Sequence, residues 1–258
     1  MLRMNTAQFL SMLLFFSCLP LSVNLLAANI HVAVASNFST TMVEIASRFE
    51  NLTKHKVTLI SGSTGKHYAQ IKNAAPFDVF FAADAYRPQR LENEEKIIAG
   101  SRFTYAIGRL VLWSPAAGYI PRNTDVLSQI HSGKLKFRRM AIANPRLAPY
   151  GKAAKDVLLK HGLWNQLGGR LVRGENINQT FQFVKSRNAQ LGFVAYSQVK
   201  HVVQTMEGSY WLVPQSDYQP IIQQAVLLTN TEASRSFIRF VKSKKILQLI
   251  RDNGYDTP

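Results

Sequence analysis

Two hydroxyl-bearing corners of this chain carry residues suited to chemistry. Ser36-Asn37 follows the apolar run Ile30 to Ala35, and the break Gly62-Ser63-Thr64-Gly65 follows the strand-like run Val57 to Ser61. In each, a strand-like run ends at a hydroxyl residue and a helical pattern starts at once. The start of a helix presents unpaired backbone N–H groups and the positive end of the macrodipole, so both corners are ready-made for an anion. A serine or threonine there adds an O–H donor. Ser, Thr and Asn are also the commonest N-caps, so either corner alone reads as plain capping. Two of them aimed at one point would form a pocket of neutral donors for a doubly charged anion. The fragment Gly62-Ser63-Thr64-Gly65-Lys66 is not a phosphate loop. That motif needs glycine where Ile60 stands and Ser or Thr where His67 stands.

The elements that position these corners follow from periodicity. Phe38, Met42, Ile45, Ala46 and Phe49 recur at helical spacing, which predicts an amphipathic helix directly after Ser36-Asn37. Lys66 to Lys72 opens a second helix. Val79 to Ala82, Met140 to Ala143 and Leu191 to Ala195 are short apolar runs that read as strands buried on both faces. Asp84 is placed to cap a helix through Leu91, and Gly162 to end one over Lys152–His161, after a loop from Asn144 to Gly151. Tyr105 to Pro115 reads as one long strand crossing between lobes, Ile221 to Leu228 as the return, and Ser234 to Asn253 as a single final helix. Strands alternating with helices imply an α/β fold with mainly parallel sheets. Two such lobes place a cleft at the carboxyl ends of the strands.

The first 28 residues read as an export signal rather than as fold. Arg3 is the only charge before His31, Phe9 to Ser17 is an apolar core too short to span a bilayer, and Leu25-Leu26-Ala27-Ala28 offers small residues for cleavage. Cys18 raises lipid attachment as a minority alternative. It is also the sole cysteine, so the mature chain would use neither a disulfide nor a thiol nucleophile. Without Arg3, 30 basic residues face 15 acidic ones, a formal +15. That balance suits nucleic acid, an anionic membrane or an anionic solute. The cations are scattered, with short clusters at Lys134–Arg139 and Lys242–Lys245, and an export signal argues against nucleic acid.

Taken together, A-S-N-F at Ala35, G-S-T-G-K-H-Y-A-Q-I at Gly62, A-A-P-F-D-V-F-F-A-A-D at Ala74 and L-G-F-V-A at Leu191 resemble the periplasmic molybdate-binding proteins that feed ABC importers. The resemblance covers nearly the whole mature chain. It implies a type II two-lobed binding-protein fold, with 29–109 and 228–258 as one lobe and 110–227 as the other. It further implies no cofactor, a molybdate or tungstate ligand, an inner-membrane ABC permease as partner, a monomer and a periplasmic location. Carried over residue by residue, the ligand contacts fall on the hydroxyls of Ser36 and Thr64, with Ser63 the alternative to Thr64, and on the backbone N–H groups of Tyr150 and Ile177. Where some members place a tyrosine, this chain has Ala195, and Tyr196 comes one residue late. Neighbouring strand residues face opposite ways, so Tyr196 does not simply replace it.

Other classes fit less well. The chain has no G-x-S-x-G elbow and no H-E-x-x-H, and its six histidines lie singly, which disfavours an enzyme. A lone histidine such as His67 or His131 reads as a surface or capping residue. An iron receptor would want closely placed tyrosines, and no adjacent pair occurs.

Overall fold

The structure, a computed structural model, describes residues 27–121, 125–200, 202 and 208–258. Cys18 and most of the export segment lie outside them. Two five-stranded sheets form the two lobes. In the first, β1 (Asn29–Ala35) runs parallel to β2 (Lys56–Gly62) and β3 (Val79–Ala82). β4 (Phe103–Gly108) and β10 (Ile221–Leu227) complete it, giving the order β2-β1-β3-β10-β4. The second contains β5 (Leu110–Ser114), β6 (Met140–Ala143), β7 (Leu171–Gly174), β8 (Leu191–Ala195) and β9 (Ser209–Leu212), in the order β7-β6-β8-β5-β9.

Each sheet is mixed rather than mainly parallel. Parallel pairing is confined to three strands of each sheet, and the two strands nearest the crossovers, β10 with β4 and β5 with β9, pair antiparallel. The expected long strand over 105–115 is two strands, one per sheet, parted at Arg109. Arg109 is clamped there by Asp256, whose carboxylate accepts from Nε at 2.7 Å and Nη2 at 2.6 Å. β10 already belongs to the first sheet, so the return crossing precedes Ile221 instead of falling at residue 227. Apolar pattern alone does not distinguish a strand inside a sheet from one crossing between two.

Local chemistry explains the helices. A 3-10 turn at Ser36–Phe38 leads into α1 (Ser39–Thr53), whose Met42, Ile45, Ala46 and Phe49 are buried as their spacing predicts. α1 stops at Lys54, which takes the left-handed conformation at φ 62°. α2 (Thr64–Lys72) starts at its N-cap Ser63. α3 (Tyr86–Asn93) has its first turn tied to Asp84, which accepts from the Arg87 N–H at 3.0 Å. In the second lobe follow α4 (Val126–His131), α5 (Pro149–Lys160), α6 (Leu163–Gln166), α7 (Ile177–Lys185) and α8 (Tyr196–Val199). α5 starts at Pro149, inside the expected loop, because proline's fixed φ suits a first helical position. The single final helix is two, α9 (Glu232–Val241) and α10 (Lys244–Asp252), broken where Ser243 turns extended at ψ 147°. The break sets Ile246, Leu249 and Ile250 against the same core as Phe237 and Val241.

The first lobe's core is centred on Phe38, Phe81, Tyr105 and Tyr255, with Phe38 4.7 Å from Tyr105 and 5.3 Å from Tyr255 between ring centres. The second lobe packs Leu110, Leu112, Met140, Ile142, Leu191 and Phe193 beneath α5. Both cores end at the cleft, so the residues facing it stand on rigid supports.

Candidate functional site

All five residues singled out by sequence line one small pocket between the lobes, with about 180 Å³ of space that includes its opening to solvent. The first lobe brings Ser36, Ser63 and Thr64, and the second brings Tyr150 and Ile177. Among the described residues, no charged side chain lines it. Four chain segments end here for one reason: β1, β2, the 145–148 loop and β7 each deliver the chain into a helical first turn at the cleft. The helix starts therefore converge, and their free N–H groups with them.

At Ser36 the chain leaves β1, and among the described residues its hydroxyl has no side-chain hydrogen-bond partner. Ser63 Oγ accepts from the Lys66 N–H at 3.4 Å, and Thr64 Oγ1 accepts from the Ala83 N–H at 3.0 Å. Acceptance leaves each hydroxyl proton free, so both side chains are oriented as donors. Tyr150 is the second residue of α5, where the N–H has no partner within the helix. Ile177 is the first residue of α7, and the Asn176 cap satisfies Gln179 N–H at 3.0 Å, leaving Ile177 N–H free of that cap.

Sequence reading missed the floor of the cavity. Gln223, in the middle of β10 and fully buried, accepts from Asn37 Nδ2 at 2.8 Å and Tyr105 O–H at 3.0 Å, and donates to Tyr150 Oη at 3.4 Å. Tyr255 O–H donates to the Asn37 carbonyl at 2.7 Å. This network fixes the Asn37 side chain against Gln223 and Tyr255. The signal was visible as the polar pair Gln223-Gln224 inside an otherwise apolar run, though its partners lie far away in sequence. Burial pushes the Tyr150 and Tyr105 hydroxyls well above their ordinary range, so both remain neutral donors or acceptors. Tyr150→Phe removes one long hydrogen bond and keeps the backbone N–H. The expected result is ligand affinity within about threefold of wild type and a stability loss of about 1 kcal/mol, read by calorimetry and thermal unfolding.

Tyr196 is not a lining residue. It opens α8, and its ring packs tilted against Tyr210, 5.9 Å between ring centres, so the place held by Ala195 is not filled from there. His67 also departs from expectation: it is 1% exposed, packed against Phe77 and Phe80 beneath Gly62. Its Nε2 lies 3.2 Å from the Val34 carbonyl and its Nδ1 3.1 Å from Gln70 Oε1. His131, in contrast, is exposed at the end of α4.

Desolvation lowers the His67 pKa below its ordinary 6.5, against the smaller raising effect of the two hydrogen bonds. The folded ring is thus neutral where the unfolded ring starts to take up a proton. Stability should fall as pH drops through 6.5 and level off once the folded ring titrates. His67→Gln is expected to shrink the loss of unfolding temperature between pH 7 and pH 5.

A larger chamber, with about 1160 Å³ of non-atom space, adjoins the cavity and shares Ala83, Ala148 and Pro149 with it. Size alone favours the chamber as a ligand site. Its chemistry does not suit a bare anion. Arg87 is paired with Asp84, and Lys152 with Asp156 at 2.8 Å, so its cations are already neutralised. The small cavity has the donors.

The family described as bacterial extracellular solute-binding protein matches residues 30–256. This chain belongs to that family. Within the solute-binding proteins, it is 47% identical over 232 residues to the molybdate-binding protein ModA of Azotobacter vinelandii, covering 89% of this chain and 90% of that one. It is 42% identical over 234 residues to ModA of Rhodobacter capsulatus, covering 90% and 89%. The solved periplasmic molybdate-binding protein of Azotobacter vinelandii superposes with a TM-score of 0.82 at 38% identity, over 89% of this chain and 99% of that one. The solute-binding fold expected from sequence, two lobes of α/β type, is the one observed.

Proposed function

We propose that this protein captures molybdate, and tungstate alike, in the periplasm and delivers it to an ABC permease as a monomer, by binding without catalysis. The single observation that carries the reading is the cavity itself: hydroxyl and amide donors from four helix starts, drawn from both lobes, with no charged side chain among them. Its relatives' names point the same way.

Ser36, Thr64 and Ser63 would each give an O–H to the anion, and Tyr150 and Ile177 a backbone N–H. The dianion's charge is balanced by helix dipoles and charge-assisted hydrogen bonds instead of by a lysine or arginine. Selection follows from what the site lacks. An all-donor cavity suits a fully deprotonated tetrahedral oxyanion. Phosphate near neutrality still carries a proton, needs an acceptor, and is rejected. Sulfate has no proton, so only fit excludes it. Molybdate and tungstate have the same charge and nearly the same size, and should bind alike.

Calorimetry of residues 29–258 against molybdate, tungstate, sulfate and phosphate tests this. Binding of the first two, with sulfate at least about a hundredfold weaker and phosphate undetected, is expected. Binding of none of them, or of phosphate alone, would defeat it.

A further inference from the structure

Two hydrogen bonds cross from the first lobe to the same loop of the second. The Gly65 N–H donates to the Leu147 carbonyl at 2.9 Å, and Arg87 Nη2 donates to the Arg146 carbonyl at 2.9 Å. The loop they grip is stiff: Arg146, Leu147 and Ala148 N–H groups all bond back to Asn144, at 3.0, 3.1 and 2.9 Å, and prolines stand at 145 and 149. It runs directly into Tyr150 at the cavity. Arg87 is itself held, since Nη1 pairs with the largely buried Asp84. Asp84 follows Ala83, whose N–H is bonded to Thr64 Oγ1.

We infer that Arg87, seated on Asp84 and acting with Gly65, is the latch that holds the lobes closed over the ligand and sets how slowly it leaves. The inference rests on the proposed oxyanion site. Arg87 does not line the small cavity, so it is a positioning residue. One guanidinium spans both partners: a carboxylate on its own lobe and a carbonyl on the other. A lysine ammonium, a compact point charge, does not reproduce that fork. Gly65 leaves tight room for a side chain at this contact. A Cβ there would sit 3.0 Å from the Leu147 Cα and oxygen and 3.2 Å from Arg87 Nη2, prising apart the contact it belongs to.

Stopped-flow tryptophan fluorescence with molybdate separates entry from release. For Arg87→Ala, koff should rise about tenfold while kon changes less than about threefold, because the latch forms after the ligand enters. The ligand-free variant should unfold at a lower temperature than wild type, because Asp84 loses its guanidinium, so release rates are compared well below that transition. Arg87→Lys should recover only part of the slow release. Gly65→Ala, made independently, should raise koff in the same direction, and it decides the matter if Arg87→Ala fails to fold. Release rates within twofold of wild type in both variants, or a loss carried by kon, would overturn the latch. A wild-type protein that binds no molybdate would instead overturn the site on which it rests.

Discussion

Replacing Ser36 and Thr64 together with alanine is expected to raise the Kd for molybdate by at least about a hundredfold. In the proposed site each hydroxyl would give one hydrogen bond to a charged ligand, worth about 1.5–3 kcal/mol. Thr64→Ala has a second consequence: the Ala83 N–H, bonded to Thr64 Oγ1 at 3.0 Å, is left without its acceptor. The single variants should each weaken binding about tenfold or more, with Thr64→Ala also lowering stability and Ser36→Ala leaving it nearly unchanged. Calorimetry beside thermal unfolding separates the two effects. Affinity within threefold of wild type for the double variant would remove both residues from the site.

Gly151→Ala is expected to damage the site from behind. The residue sits in the first turn of α5, where an added Cβ would lie 2.2 Å from the Ala143 carbonyl oxygen and 2.9 Å from the Asn144 carbonyl carbon. Both are backbone atoms of the strand end and the loop beneath, so no side chain can swing aside. α5 has to lift from β6, at a cost of about 1–3 kcal/mol in stability. The lift carries the Tyr150 N–H out of line with the cavity, and affinity for molybdate should fall at least about tenfold. Denaturant unfolding and calorimetry on the same preparation check both parts. Unaltered stability would mean that the helix start is softer than its packing implies.

What could be read from sequence divides along physical lines. β3, β6 and β8 were legible to the residue because strands buried on both faces are short apolar runs, each entered from a polar residue. α1 was legible because its apolar face repeats over four turns. The break at Arg109 was not: it is imposed by Asp256 reaching back from the far end of the chain, with Ile107 and Asp256 exchanging backbone bonds at 2.7 and 3.0 Å. Nor was the membership of β10, since a strand's neighbours are a property of topology. The corners at Ser36 and Ser63-Thr64 were legible as strands running into helix starts at a hydroxyl residue, while Tyr150 and Ile177 were reached by resemblance alone. Gln223 under the cavity, buried His67 and the Arg87 contact escaped because each depends on a partner tens of residues away or more.

Crystals of residues 29–258 grown with molybdate, measured for anomalous scattering from molybdenum, put the central claim to its most direct test. A single peak should lie in the cavity between Ser36 and Thr64 on one side and the Tyr150 and Ile177 amides on the other, with no cation side chain touching it. A peak in the neighbouring chamber beside Arg87 and Lys152, or only among the lysines and arginines of 134–139, would contradict the account.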